Sequence, residues 1–169
     1  MHRVAGIDPG TRATGYGVVA LDGNRLVHVT HGVISTRSQD PLPARLRRIY
    51  EGLTGVLREH RPSEVSVETI FHARNARAAL ILGHARGVAL LAAEREGLAV
   101  VEYTPMQVKS AVVGYGGADK HQVQEMVRRL LCLERPAGPD ASDALAVAIC
   151  HLQTSRTRRA LLTRKAAPR

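Results

Sequence analysis

Three short apolar runs open the chain, each closed by turn residues. Arg3–Ile7 leads into Asp8-Pro9-Gly10, Gly15–Leu21 runs into Asp22-Gly23-Asn24, and Arg25–Ser35 carries Leu26, Val27, Val29, Val33 and Ile34. Runs of this length bounded by Pro, Gly, Asn and Asp read as strands, and the short Asp-Gly-Asn link reads as a hairpin. The opening is therefore predicted to be an antiparallel meander. The period then lengthens. Leu42, Leu46, Ile49, Leu53, Val56 and Leu57 recur at helical spacing, and Pro62 closes a helix over Leu42–His60.

Glu64–Glu68 is a short strand, followed by a loop over Thr69–Arg74 and a long helix over Asn75–Glu96 that Gly97 ends. Leu98–Tyr103 is a further strand, and Pro105 opens a helix with Gln107 and Lys109. After a loop with Gly114, Gly116 and Gly117, helices are expected over Asp119–Leu131 and Asp140–Ser155. Three strands, then strands alternating with helices, predict an α/β fold: a five-stranded mixed sheet with helices on both faces. One domain over residues 1–153 and a basic, flexible tail over 154–169 account for the chain.

Charge sharpens the reading of the tail. The net charge is +9, yet Thr154–Arg169 holds six basic residues and no acid, leaving 18 basic against 15 acidic residues elsewhere. A basic balance favours polyanionic partners, and here it is concentrated at one end. Cys132 and Cys150 form no CxxC pattern and read as buried free thiols of a reducing cytoplasm. The N-terminus has no long apolar run, and the uninterrupted apolar stretch around Val88–Ala93 is too short to span a bilayer. No membrane is expected.

Four carboxylates draw attention by position. Asp8 ends a strand that should be central and Glu68 ends another, where sites form in open α/β sheets. Asp140 and Asp143, three apart at a helix start, share one face. Each also has a plain structural role: a turn Asp, a solvated strand end, a helix cap. Converging, they would repel one another unless hard divalent cations such as magnesium or manganese intervened. Two such ions about 4 Å apart suit phosphodiester hydrolysis. The eight histidines show no ligand spacing. His28 and His31, at odd separation on a strand, should face opposite sides, and no histidine is assigned to a metal.

Four segments in order, VAGIDPGTRATGYGVV, VSVETIFHARNARAALILGHARGVALLAA, YTPMQVKSAVVGYGGADKHQVQEMV and PDASDALAVAICH, together resemble the bacterial RuvC family from Arg3 to about His151. That resemblance implies an RNase H-like fold, a homodimer and a two-magnesium active site in which manganese can substitute. It also implies symmetric nicking of opposed strands at a four-way (Holliday) junction in recombination and repair, alongside the branch-migration complex RuvA–RuvB. By the same resemblance Asp8, Glu68, Asp140 and Asp143 match the metal-binding and catalytic carboxylates. Lys109 and Lys120 match positions that assist catalysis or contact the DNA backbone, and Phe71 matches an aromatic that stacks on bases. Phe71 is the chain's single Phe and sits near Arg74 and Arg77, two further candidates for DNA contact. An aromatic among basic groups suits an unstacked base, although a core plug would use the same residue. The helix Ala78–Ala93 is apolar on nearly every side, with Gly83, Ala85 and Gly87 permitting close approach of a partner.

Other readings stay open on the residues. Asp8-Pro9-Gly10-Thr11 resembles the phosphate loop of actin-like ATPases and sugar kinases, which need two such domains. The same carboxylates would serve a nuclease of RNA–DNA hybrids, because a fold does not fix a substrate. A DNA-binding module without catalysis is the third.

Overall fold

The computed structural model describes residues 1–69 and 76–166, with side chains through Arg156. The expected strands and helices are present, with small changes at the ends of all but the last helix. The strands are β1 His2–Asp8, β2 Ala13–Asp22, β3 Arg25–Ser35, β4 Glu64–Glu68 and β5 Ala99–Tyr103. The helices are α1 Leu42–His60, α2 Ala76–Arg95, α3 Pro105–Val113, α4 Lys120–Leu130 and α5 Pro139–Ala166. The sheet order is β3-β2-β1-β4-β5. The first three strands pair antiparallel, while β4 lies parallel to β1 and β5 parallel to β4. The sheet is mixed, and β1 is its centre.

Strand alternation divides the core in two. Ala5, Ile7, Val18, Val65 and Val67 face α1 and α2, packing with Ile49, Leu53, Ala85 and Ala89. Val4 and Val19 face the other way, onto α3, α4 and α5, with Val108, Val127, Leu145 and Ile149. Helices thus cover both faces. Apart from Tyr103, the core is mainly aliphatic, as a chain with a single Phe and no Trp requires.

Helix α5 lies unusually close to the sheet. A Cβ on Gly6 would collide with the carbonyl oxygen of Ala144, and one on Gly15 with that of Asp140. A Cβ on Gly17 would meet the Leu145 side chain. Only glycine leaves room for a helix backbone at that depth.

Three expectations need correction. Helix α5 does not end at Ser155 but runs to Ala166. The segment read as a tail is rich in Arg, Leu and Ala and holds no Gly or Pro before Pro168, so nothing in it breaks a helix. Cys132 is exposed, because it lies past the end of α4 in a turn with φ 52°. Cys150 is buried as expected, and burial pushes its thiol up to about 11. His28 and His31 do not face apart. The register slips between Val18, opposite Thr30, and Val19, opposite His28, so β3 gains one residue there. That bulge reverses the parity, and the two rings meet at 2.7 Å between His28 Nε2 and His31 Nδ1.

Candidate active site

The alternation that sorts the core also sets the site. On β1, Asp8 has the parity of Val4 and Gly6; on β4, Glu68 has the parity of Ser66, opposite to buried Val65 and Val67. Both carboxylates therefore point to the α5 side, at the C-terminal ends of neighbouring parallel strands. The close seat of α5 brings Asp140 and Asp143, in its first two turns, to the same place. The N-terminal end of a helix also favours negative charge through its dipole.

The electrostatics record how tightly the groups are gathered. The Asp8 carboxyl is pushed up to about 7, first by burial and then by the charges of Asp143, Glu68 and Asp140, with Lys120 opposing. Glu68 is pushed up by burial and by Asp143, against the pull of Lys109 and Lys120. Lys120 Nζ donates to Asp143 Oδ2 at 2.8 Å. That bond, with the charges of Asp143, Asp8 and Asp140, raises the lysine. Glu68, Lys109, Lys120 and Asp143 line one cleft, floored by Val108, Val123 and Ala146.

Short-range devices hold each lysine in place. Thr104 caps α3: its hydroxyl accepts from Gln107 N at 3.2 Å, and Gln107 Oε1 accepts from Thr104 N at 2.8 Å. This reciprocal pair fixes the first turn of α3, and Lys109 follows on the next. Asp119 caps α4 in the same way, accepting from Gln122 N at 2.8 Å while Gln122 Oε1 accepts from Asp119 N at 2.9 Å. Lys120 is the first residue of that helix. The loop after Asp8 is braced by Arg45 on α1, whose Nη2 donates to Thr11 O at 2.7 Å and whose Nε donates to Thr36 Oγ1 at 3.1 Å. Arg45 belongs to a run of α1 arginines, so sequence pattern alone gave it no distinction.

The structure thus brings together six of the candidate residues: Asp8, Glu68, Asp140, Asp143, Lys109 and Lys120. Arg77 is exposed in the first turn of α2 and is not among the described residues that line the cleft. Phe71 and Arg74 lie outside the described residues. The donor set is made of hard carboxylate oxygens, and without cations it holds at least one group out of its ordinary ionisation. Both features fit magnesium or manganese.

Comparison with known proteins follows the same lines. Residues 4–151 match the family model described as crossover junction endodeoxyribonuclease RuvC. A protein of that name from Syntrophotalea carbinolica is 60% identical over 149 residues, covering 88% of this chain and 92% of its relative. The one from Geobacter sulfurreducens is 57% identical over 153 residues, covering 90% and 93%. Among solved structures, Thermus thermophilus RuvC in complex with a Holliday junction substrate superposes with a TM-score of 0.89 at 39% identity, covering 94% of this chain and 97% of that one. A yeast mitochondrial Holliday junction resolvase shares the fold, with a TM-score of 0.65 at 14% identity.

Proposed function

This chain belongs to the RuvC family of crossover junction endodeoxyribonucleases, and we propose that the carboxylate cluster at the ends of β1 and β4 is the centre with which it cuts. As a member of that family it is a nuclease that resolves Holliday junctions in DNA recombination and repair. The observation that carries the assignment of the site is the gathering of Asp140 and Asp143 around Asp8 and Glu68, whose carboxyls are raised by burial and by these neighbouring charges, with Lys109 and Lys120 on the same cleft.

Asp8, Glu68, Asp140 and Asp143 would hold two divalent cations, magnesium with manganese as a substitute. Such ions supply charge neutralisation at the phosphate and a water acidified for attack on phosphorus. The chain's own groups do the rest. Asp8 must be ionised to act as a ligand, so activity rises as pH passes the range in which Asp8 gives up its proton. Lys120, already bonded to Asp143, and Lys109, near Glu68, place two positive charges at the rim of the cleft, where a phosphodiester backbone would enter. Val108, Val123 and Ala146 give that cleft an apolar floor, which strengthens the electrostatic contacts above it.

Two such centres related by two-fold symmetry would nick opposed strands of a four-way junction, which has matching approximate symmetry. The homodimer is proposed to form through α2. Ala85, Ala89, Ala92 and Ala93 of that helix are fully buried against the sheet, while Leu80 and Leu91 stand 65% and 52% exposed on its outer side. By length and hydropathy α2 is also the one described helix that could cross a membrane. Its buried alanines and its place over the sheet give that apolar character a role in packing instead. Phe71 and Arg74 are proposed to meet the DNA near the crossover, with Arg77 on the backbone beside them. The enzyme is proposed to work in the cytoplasm, in concert with RuvA–RuvB.

The direct test of the site is Asp8→Asn. Cleavage of a synthetic four-way junction should fall by several orders of magnitude while the junction is still bound. Loss of binding together with cleavage would assign Asp8 to folding and remove it from the chemistry.

A further inference from the structure

The face of the sheet under α5 carries a second constellation at its opposite end. His2 begins β1, Glu64 begins β4, and His151 lies eight residues beyond Asp143 on α5. The same alternation that aims Asp8 and Glu68 at α5 aims His2 and Glu64 at it too. The six residues from His2 to Asp8 put about 20 Å between the two ends. The carboxylate cluster and this one are therefore separate.

His2 Nε2 lies 3.1 Å and His151 Nε2 3.0 Å from the same oxygen, Glu64 Oε2. One nitrogen or oxygen from each of the three residues falls within 4.8 Å of the others. The far ring nitrogens are both held. His2 Nδ1 is 2.9 Å from Ser63 Oγ, and His151 Nδ1 is 2.9 Å from the Tyr103 hydroxyl. Ser63 Oγ donates its proton to Arg3 O at 2.9 Å, so toward His2 it acts as an acceptor. His2 is thereby set with its proton on Nδ1. In the neutral ring, Nε2 then presents a lone pair, and this nitrogen is buried without a hydrogen-bond partner. It lies 3.1 Å from Glu64 Oε2 but off the axis of a hydrogen bond, so lone pair and carboxylate oxygen are left side by side, an arrangement that a shared metal cation relieves.

We propose that His2, Glu64 and His151 form a binding site for a borderline divalent transition metal, with zinc as the type ion. Two imidazoles and one carboxylate are a familiar tetrahedral donor set that leaves a fourth position for water. Imidazole nitrogen selects zinc-like ions over magnesium, whereas the all-carboxylate cluster is of a kind that also suits magnesium. The hydroxyls on the far nitrogens are the outer hydrogen bonds that orient metal-bound histidines: Ser63 for His2 and Tyr103 for His151. Side-chain exposure falls from 28% at Glu64 and 21% at His2 to 4% at His151, which leaves the outer side open for an ion to enter. The ion would clip the first residue of β1 and the first of β4 to the far half of α5. This site is distinct from the nuclease centre.

The test uses the full-length protein, stripped with chelator and returned to excess magnesium so that the carboxylate cluster is occupied. Zinc uptake is measured by equilibrium dialysis, and cobalt(II) is added as a visible probe of coordination. The expected result is one zinc per chain, a visible cobalt band of tetrahedral intensity without sulfur charge transfer, and the same values in Asp8→Asn. His2→Ala should weaken zinc binding by about 100-fold or more, and Ser63→Ala by about tenfold. His2 is at the chain's edge, so its loss should leave the metal-free melting temperature unchanged; Glu64→Gln, which keeps the volume, gives an independent reading. Absence of zinc uptake by the wild type, or zinc affinity unchanged in both His2→Ala and Glu64→Gln, would overturn the proposal.

Discussion

The carboxyl of Asp8 sits at about 7 because burial and three neighbouring carboxylates oppose its charge. An Asp in an unfolded chain titrates near 3.8. Below that value the folded and unfolded states both bind the proton, and the group has no effect on stability. As pH rises from 4 to 7 the unfolded chain loses its proton first, so the metal-free fold is progressively destabilised, and the cost is complete above 7. A shift of this size corresponds to about 4 kcal/mol. In the presence of chelator, Asp8→Asn should therefore raise the melting temperature at pH 8 and leave it unchanged near pH 4. An equal effect at both pH values would mean that repulsion is not the cause. Lys120 acts in the opposite sense, as a cation bonded directly to Asp143 of the cluster. Lys120→Met should lower the cleavage rate by at least about tenfold and destabilise the metal-free protein; cleavage at the wild-type rate would leave Lys120 as surface. Asp8, Glu68, Asp140 and Asp143 were legible in sequence because strand ends and helix starts are local features. His2, Glu64 and His151 were not, since three residues so far apart in sequence form no spacing to read. Phe71 could be singled out by type, and its role is directly testable: Phe71→Ala should impair cleavage while the melting temperature holds, and a large fall in that temperature would make it a core plug.

Among the elements, α5 decides the geometry of the site. It carries two of the four carboxylates, and its depth against β1 and β2 is permitted by Gly6 and Gly15. Gly15→Ala should force the helix outward, at a cost of about 1–3 kcal/mol from overpacking, or about 2–4 °C in melting temperature per kcal/mol. Junction cleavage should fall further than stability alone explains, because Asp140 moves with the helix. Gly55→Ala makes a contrast: it lies exposed in α1 with nothing within 4 Å of the added Cβ, and should gain up to about 1 kcal/mol of helix stability. If both substitutions behave alike, the close approach of α5 is not what holds the site. The element pattern itself was readable from periodicity, turn residues and caps. The bulge in β3 was not: one extra residue reverses the facing of everything beyond it, and no local signal marks where a ladder will slip. The glycines were visible as letters, yet their reason lies in a helix more than 120 residues away.

For the molecule as a whole, the central proposal is that two copies pair their centres on one junction. The outer side of α2 leaves Leu80 and Leu91 exposed beside Gly83 and Gly87, and exposed large aliphatics next to small residues suit a packed partner helix. Leu80→Glu combined with Leu91→Glu should convert a sedimenting dimer to monomer with little change in monomer stability. A variant that still sediments as a dimer would place the interface elsewhere. Fold class and the mixed character of the sheet were within reach of sequence reasoning because the strand–helix alternation admits few topologies; the association of two chains has no such constraint.

The most direct measurement is strand mapping on a mobile four-way junction with magnesium or manganese, beside linear duplex and an RNA–DNA hybrid. Paired nicks at symmetric positions in opposed strands, on the junction alone and dependent on both metal and Asp8, are the predicted result. Cutting of the hybrid with the junction left intact, in either metal, would contradict it.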